Sequence, residues 1–452
     1  MDLIRSISGI RGIIDSNINT KIVAKYARAF CEVQQSSKPV IIGRDTRKNG
    51  LKYSNSIKNS IKELGIDIID IGITPTPVIQ YLVKINDVAG GIMITASHNP
   101  EEWNGLKFID NDGCFLDSIK NNKLFTIFDN NILVKKKSKK GTEIKHNDLI
   151  SIFVENLLKL SVIDIEKIRA CNFNVVVDSV NGANYKVLPM ILKNLNCNVK
   201  ELFCDNSGKF ERGPEPIAKN LSVLAKSVKT NNADIGFATD PDGDRLSIVD
   251  EKGNPVGEEN TLVLCADSYY DHTSSNSPLI TNLSSTMNLD FIAEKNNVNI
   301  FRSPVGEANV IELMKLKKAD IGGEGNGGVI LNDLHLGRDS LVAAVMVLNA
   351  MAKNNNTVSN ILKQYPECHM TKEQVSIPKI DLKNLFNDII KKNSNVEINE
   401  DDGLKLIWND KWVHIRSSNT EPILRIIAES NNQNKTKTLI NLIKKYIFEF
   451  SH

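Results

Sequence analysis

Three times along the chain, short apolar segments rich in β-branched residues alternate with helix-length amphipathic ones, and this limits the fold more than any other feature. The first set reads as helix 19–32, strand 40–43, helix 53–64, strand 66–71, proline-opened helix 75–84 and strand 91–96. The second reads as helix 147–160, strand 174–177, helix 183–192, strand 199–203, helix 222–230 and strand 233–238. The third reads as helix 260–270, strand 279–282, helix 287–295, a segment 301–306, helix 308–315 and a glycine-rich hairpin at 321–331. Strands alternating with helices make α/β layers with ligand sites at the carboxyl ends of the strands. After helix 340–352 the elements become shorter and mixed, with strands 412–416 and 424–428 and a last helix 435–450, an α+β pattern.

At 452 residues the chain is long enough for about three domains of roughly 150 residues, or four smaller ones. A net charge of +2 leaves no electrostatic footprint for nucleic acid. The N-terminal stretch lacks a signal-peptide core, and the longest apolar run, 341–348, is too short to span a bilayer, so no membrane partner is expected. Seven scattered cysteines without a C-x-x-C pair fit reduced thiols and a cytoplasmic location.

Four polar loops carry the chemistry. Strand 91–96 runs into Ser97-His98-Asn99-Pro100, which sets a serine at an exposed strand end beside a histidine, with Lys107 following. A hydroxyl so held serves as a nucleophile or phosphate carrier; the plain alternative is a turn. Strand 233–238 ends in Asp240-Pro241-Asp242-Gly243-Asp244-Arg245. Alternating carboxylates repel one another unless a hard cation lies between them, and an all-oxygen set favours Mg²⁺ over Zn²⁺. An EF-hand fails because its glycine position is Arg245 and its flanks are strands; a haloacid-dehalogenase-type start fails at Asp244.

The third loop, residues 322–328, contains G-x-G-x-x-G but continues as a strand, so it is not a dinucleotide fingerprint. Read as a tight hairpin, it shows Glu324 and Asn326 at its tip, suited to sugar hydroxyls. In the fourth, Arg416 and Arg425 flank Ser417-Ser418-Asn419-Thr420-Glu421-Pro422, a combination suited to a phosphate dianion. Ser8-Gly9-Ile10-Arg11-Gly12 reads equally as a turn or an anion-binding loop, and Arg44 falls at a strand's carboxyl end.

These motifs, in this order, resemble the α-D-phosphohexomutase superfamily (the phosphoglucomutase/phosphomannomutase family) over the whole chain. The resemblance implies three similar mixed α/β domains and a smaller α+β C-terminal domain around a central cleft. The expected divisions are 1–140 (phosphoserine loop), 141–253 (metal loop), 254–368 (sugar loop) and 369–452 (phosphate-binding domain). It implies that Ser97 is the phosphoserine carrier and that one Mg²⁺ per chain sits on Asp240, Asp242, Asp244 and the seryl phosphate. The substrate is then a phosphosugar, turned over through a hexose 1,6-bisphosphate that is both intermediate and activator. Arg416, Ser418, Asn419, Thr420 and Arg425 hold phosphate, and Glu324 and Asn326 the sugar. Lys107, with His98 second, is the general acid/base; Arg11, Arg44 and Arg245 balance charge.

The Gly-Glu-Gly-Asn-Gly-Gly loop departs from the Gly-Glu-Met-Ser-Gly-His type of phosphomannomutase/phosphoglucomutase enzymes and the Gly-Glu-Gln-Ser-Gly-His type of bacterial phosphoglucosamine mutases. With Ser303-Pro304-Val305-Gly306-Glu307 it is more similar to the archaeal-type phosphoglucosamine mutase subgroup, while Asn419 stands where many members have glycine. The expected reaction is glucosamine 6-phosphate to glucosamine 1-phosphate, with phosphomannomutase/phosphoglucomutase activity as the alternative. A metal-dependent sugar phosphatase and a non-catalytic sugar-phosphate sensor are the rival classes. The expected state is a monomer or a homodimer.

Overall fold

A computed structural model describes residues 3–132, 137–144, 148–353, 355–376, 381–393, 396–417 and 423–451. The chain forms two compact units, residues 1–275 with 320–359, and residues 276–319 with 360–452.

The first unit opens with a six-stranded mixed sheet made of β1 (Ile4–Ser6), β2 (Gly9–Ile13), β3 (Val40–Arg44), β4 (Ile68–Ile73), β5 (Gly90–Ile94) and β6 (Trp103–Ile109), in the order β1-β2-β6-β5-β3-β4. Strands β3, β4 and β5 are parallel, while β6 returns antiparallel between β5 and β2. The helices follow from local signals. Thr20–Gln34 starts at Asn19, whose side chain accepts from the Lys21 and Ile22 amides, and its apolar face buries Val23, Tyr26, Ala27 and Phe30. Phe108 from β6 stacks on Phe30 at 5.7 Å between ring centroids, which fixes the sheet against this helix.

Residues 9–12 form β2 of this sheet, and Ser8 lies in the turn that precedes it. Gly9 has φ +106°, and a Cβ there would lie 2.0 Å from the Leu106 carbonyl oxygen, so the glycine serves close strand approach. The pairing sets Arg11 opposite Gly105 and Met93 opposite Lys107. Beyond the helices of this set, Ile68 exchanges hydrogen bonds with Thr142 and Ile144, so the chain after the lysine run is still tied to β4.

A four-stranded sheet follows, β7 (Asn174–Asp178), β8 (Asn198–Leu202), β9 (Ile235–Thr239) and β10 (Leu246–Val249), in the order β10-β9-β7-β8, with β10 antiparallel to β9. Of the third set, the parallel pair β11 (Leu279–Asn282) and β12 (Ile300–Ser303) lies in the second unit. The hairpin β13 (Ile321–Glu324) and β14 (Gly328–Leu331) lies in the first, beside helices Glu259–His272 and Ser340–Lys353. The second unit also holds a five-stranded antiparallel sheet of β15 (His369–Ser376), β16 (Glu397–Asn399), β17 (Leu404–Trp408), β18 (Lys411–Ser417) and β19 (Ile423–Ser430). Helices Leu382–Lys391 and Gln433–Ser451 pack on it over Leu385, Ile389, Ile440 and Ile443. The fold is the expected one, mixed α/β sets followed by an α+β set. All seven cysteines are free, and among the described residues no helix is long and apolar enough to cross a membrane.

Within the second unit β18 presents His414 inward. Its Nε2 hydrogen donates to the Asp402 carbonyl at 2.6 Å, which leaves Nδ1 to accept from the Ser284 hydroxyl at 2.8 Å. Burial pushes this imidazole down to about 4. Because the unfolded chain takes up the proton near pH 6.5 and the folded chain does not, stability is complete above pH 6.5 and declines as pH falls toward 4. The expected loss at pH 4 is about 3 kcal/mol. NMR titration of the ring nitrogens, paired with urea denaturation between pH 4 and 7, checks this; an imidazole titrating near 6.5 refutes it.

Candidate active site

The serine loop is shaped by one buried arginine. Arg47 lies just beyond the carboxyl end of β3 and is 2% exposed. Its NH2 donates to the Ser97 and Asn99 carbonyls, both at 2.6 Å, and its NH1 to those of Pro100 and Trp103 at 2.5 and 3.0 Å. Its Nε pairs with Asp45 at 3.0 Å, and the Phe210 ring lies 4.8 Å from the guanidinium. Asp45 also accepts from the Thr95 hydroxyl at 2.6 Å, and that oxygen accepts from the Ser97 amide at 2.8 Å. Burial pushes the Asp45 carboxyl up against the pull of Arg47 and Thr95. Ser97 is held at φ 50°, a conformation few non-glycine residues adopt.

Ser97 is not exposed as its strand-end position predicts. It is fully buried because the aspartate loop closes over it, and its Oγ lies 3.3 Å from Asp240 Oδ2. That loop joins β9 to β10, with a turn at Gly243 (φ 71°), and buries Asp240, Asp242 and Asp244 with carboxylate oxygens within 4.8 Å of one another. Asp240 Oδ1 accepts from the Asp244 and Arg245 amides at 3.1 and 3.2 Å. Asp242 Oδ2 accepts from Lys107 Nζ and the Thr76 hydroxyl, both at 2.6 Å. Asp244 Oδ2 accepts from Lys107 at 3.0 Å and from Arg338 NH2 at 2.7 Å.

The remaining oxygens, Oδ1 of Asp242 and of Asp244, are buried without a hydrogen-bond partner among the described residues; Arg245 Nε stands 3.8 Å from the latter. Buried carboxylate oxygens in this state are costly, and a hard divalent cation satisfies them, so the donor set fits Mg²⁺. Burial, then Asp244 and Asp242, push the Asp240 carboxyl well above its usual range. Burial acts in the same direction on Asp244, but Arg338, Lys107 and Arg245 outweigh it and hold that carboxyl well below.

His98 Nδ1 lies 3.4 Å from Ser97 Oγ. Arg245, then burial and Arg11, push its imidazole well below the usual value, so it is neutral at neutral pH. Arg11 donates to Asn99 Oδ1 at 2.9 Å, and burial pushes its guanidinium down. Arg44 is not brought to this group. Its guanidinium turns to the Asp45 carbonyl at 3.4 Å, and among the described residues it has no bond to Ser97 or the three aspartates. The sequence reading passed over Arg47 in the run Arg44-Asp45-Thr46-Arg47; the aspartate between the two arginines, able to turn Arg47 inward, was the available signal.

Glu324 is also placed differently from the expected exposed hairpin tip. It is 3% exposed, and its Oε2 accepts from Arg338 NH1 at 2.8 Å and from Asn326 Nδ2 at 3.3 Å. Arg338, which the sequence reading missed, thus bonds to both the aspartate loop and the hairpin. Its only sequence signal is its place before Asp339, whose side chain caps helix Ser340–Lys353 through the Leu341 and Val342 amides.

In the second unit Arg416 on β18 stands opposite Arg425 on β19. Arg416 pairs with Asp402 at 3.3 Å, and Arg425 is exposed. Ser418, Asn419 and Thr420 lie outside the described residues.

Family models described as phosphoglucomutase/phosphomannomutase, alpha/beta/alpha domains I, II and III, match residues 3–135, 151–253 and 258–368. A protein of Thermococcus kodakarensis named phosphoglucomutase/phosphomannomutase is 32% identical over 448 residues, 98% of this chain and 97% of the relative. A phosphoglucosamine/phosphogalactosamine mutase of Sulfurisphaera tokodaii is 29% identical over 446 residues, 97% and 98% of the two chains. In structure, a phosphoglucomutase/phosphomannomutase family protein from Burkholderia thailandensis superposes with a TM-score of 0.83 at 23% identity, covering 98% of this chain and 97% of that one.

Replacing Arg47 by methionine strands the buried Asp45 carboxylate and four carbonyl oxygens. The expected loss is about 3–5 kcal/mol of stability, partly recovered when Asp45→Asn is added. Chemical denaturation of the two variants measures it, and a loss under about 1 kcal/mol contradicts the assigned part of Arg47.

Proposed function

This chain belongs to the phosphoglucomutase/phosphomannomutase family, and from that premise we propose that it interconverts hexose 6-phosphates and hexose 1-phosphates through a phosphorylated Ser97. The observation that carries the reading is the approach of Ser97 Oγ to Asp240, beside two buried carboxylate oxygens without hydrogen-bond partners. The divisions 1–140, 141–253, 254–368 and 369–452 are the functional domains we assign to this cycle.

In the first half-reaction the phosphoryl group leaves Ser97 Oγ for the free hydroxyl of a hexose monophosphate. The P–Oγ bond breaks, a P–O bond to the sugar forms, and the hydroxyl proton passes to a base. Hexose 1,6-bisphosphate and unmodified serine result. In the second half Ser97 Oγ takes the other phosphoryl group and gives up its proton, and the isomeric monophosphate leaves. The bisphosphate also reloads an unphosphorylated enzyme.

Asp240, Asp242 and Asp244, with the seryl phosphate, would hold Mg²⁺, which supplies positive charge where the phosphoryl group carries its negative charge. Lys107, which donates to Asp242 and Asp244, is the first general acid/base candidate, as an acid to the departing oxygen. His98, neutral beside Ser97 Oγ, is the second candidate and is able to accept a proton. Arg11 and Arg245 face the same space. Arg416 and Arg425, with Ser418, Asn419 and Thr420, would hold the phosphate that is not transferred, in either orientation of the substrate. Glu324 and Asn326 would meet sugar hydroxyls.

For the sugar we assign glucosamine phosphates, supported by the departure of the 323–328 loop from the histidine-ended types and by the relative from S. tokodaii. The second reading, mannose or glucose phosphates, is favoured by the relative from T. kodakarensis. The test is turnover of the Ser97-phosphorylated protein with Mg²⁺ and a trace of bisphosphate on glucosamine, mannose and glucose 6-phosphates in parallel. Preference for glucosamine 6-phosphate is expected, and Ser97→Ala should lose both phosphate labelling and turnover, the latter by at least about a thousandfold. Preference for mannose or glucose overturns the sugar assignment alone. No turnover on any sugar overturns the mutase reading.

A further inference from the structure

Arg338 takes no part in the cycle above, yet it bonds to both the aspartate loop and the β13–β14 hairpin. It is 8% exposed, with NH2 on Asp244 Oδ2 at 2.7 Å and NH1 on Glu324 Oε2 at 2.8 Å. Its route to them is made by a missing side chain. A Cβ on Gly328 would lie 2.3 Å from Arg338 Cδ and 2.9 Å from its Cγ. Gly328 is outside the left-handed region, so its backbone accepts alanine and the arginine is what excludes it.

A guanidinium is planar, permanently charged and forked, so one group spans two carboxylates in fixed directions; the single ammonium of lysine does not match that geometry. With Lys107 and Arg338 both on Oδ2 of Asp244, the carboxylate is turned so that Oδ1 is the oxygen left over. We propose that Arg338 is a positioning residue that fixes Asp244 for the cation and Glu324 for the substrate, and that Gly328 is small to let it through. This rests on the reading that the three aspartates hold the divalent cation. Arg338 does not carry a proton in the reaction, and it acts only through the two carboxylates.

Charge and positioning make opposite predictions. Arg338→Met removes a positive charge near the cation and leaves Glu324 uncompensated, so charge alone predicts tighter metal binding. Loss of a carboxylate's outer partner predicts binding weaker by about 10- to 100-fold. Gly328→Ala keeps the charge and only displaces the arginine, so positioning predicts weaker binding there too. The experiment titrates Mn²⁺ into the full-length, unphosphorylated chain and reads free ion by EPR, for wild type, Arg338→Met, Gly328→Ala and Asp242→Asn. Weaker binding in both the Arg338 and Gly328 variants is expected. Unchanged or tighter binding in either overturns the proposal while wild type binds and Asp242→Asn does not. If wild type binds no better than Asp242→Asn, the metal reading fails first. Should Arg338→Met not fold, Gly328→Ala decides alone.

Discussion

Three buried carboxylates with oxygens within 4.8 Å of one another set the terms for the first unit. At that separation each like-charged pair costs about 3–4 kcal/mol even at an effective dielectric constant of 20. Three such pairs approach the whole stability of a domain. The loop therefore depends on cations brought from elsewhere in the chain. Lys107 comes from β6, Arg338 from the turn before helix Ser340–Lys353, and Arg245 from the loop itself. Removing any one leaves a buried charge uncompensated, which is costlier than losing a surface pair.

Those cations do not use up the site. Lys107, Thr76 and Arg338 hold one oxygen each of Asp242 and Asp244, and the other oxygen of each is left over. The fold is thus secured by the same carboxylates that are suited to an added cation. The serine loop solves the matching problem for backbone. Four carbonyls of residues 97–103 point at a single guanidinium, so the strained φ of Ser97 is imposed by Arg47 and the Thr95 hydroxyl, and does not arise from local propensity. One arginine orders carbonyls and the other carboxylates, and both are almost wholly buried.

The anionic and nucleophilic parts were legible because their chemistry is local. Asp240, Asp242 and Asp244 sit at alternate positions after a strand, and Ser97-His98-Asn99-Pro100 ends another, so periodicity and turn chemistry suffice to find them. Their counterparts are set by topology, which local patterns do not carry. Nothing in residues 103–109 announces that the strand they form will run antiparallel between β5 and β2, and only that insertion puts Lys107 opposite Met93 and over the aspartates. The glycine at 9 fits a loop or a close strand contact equally well until the Leu106 carbonyl is known to be there. Arg338 lies 94 residues from Asp244, with no spacing rule to link them.

The hairpin shows how one unseen partner changes the meaning of a residue. As a tip residue Glu324 would be an open carboxylate, able to favour an ammonium on the sugar through charge. Paired with Arg338, a cation it shares with Asp244, it has a reduced pull on a nearby ammonium. What the couple still offers is direction, from carboxylate lone pairs fixed by the guanidinium and by Asn326. Hydroxyls and amines are then separated by hydrogen-bond geometry and fit more than by electrostatic attraction. What the 323–328 loop brings to the choice of sugar is therefore set jointly by its own residues and by Arg338.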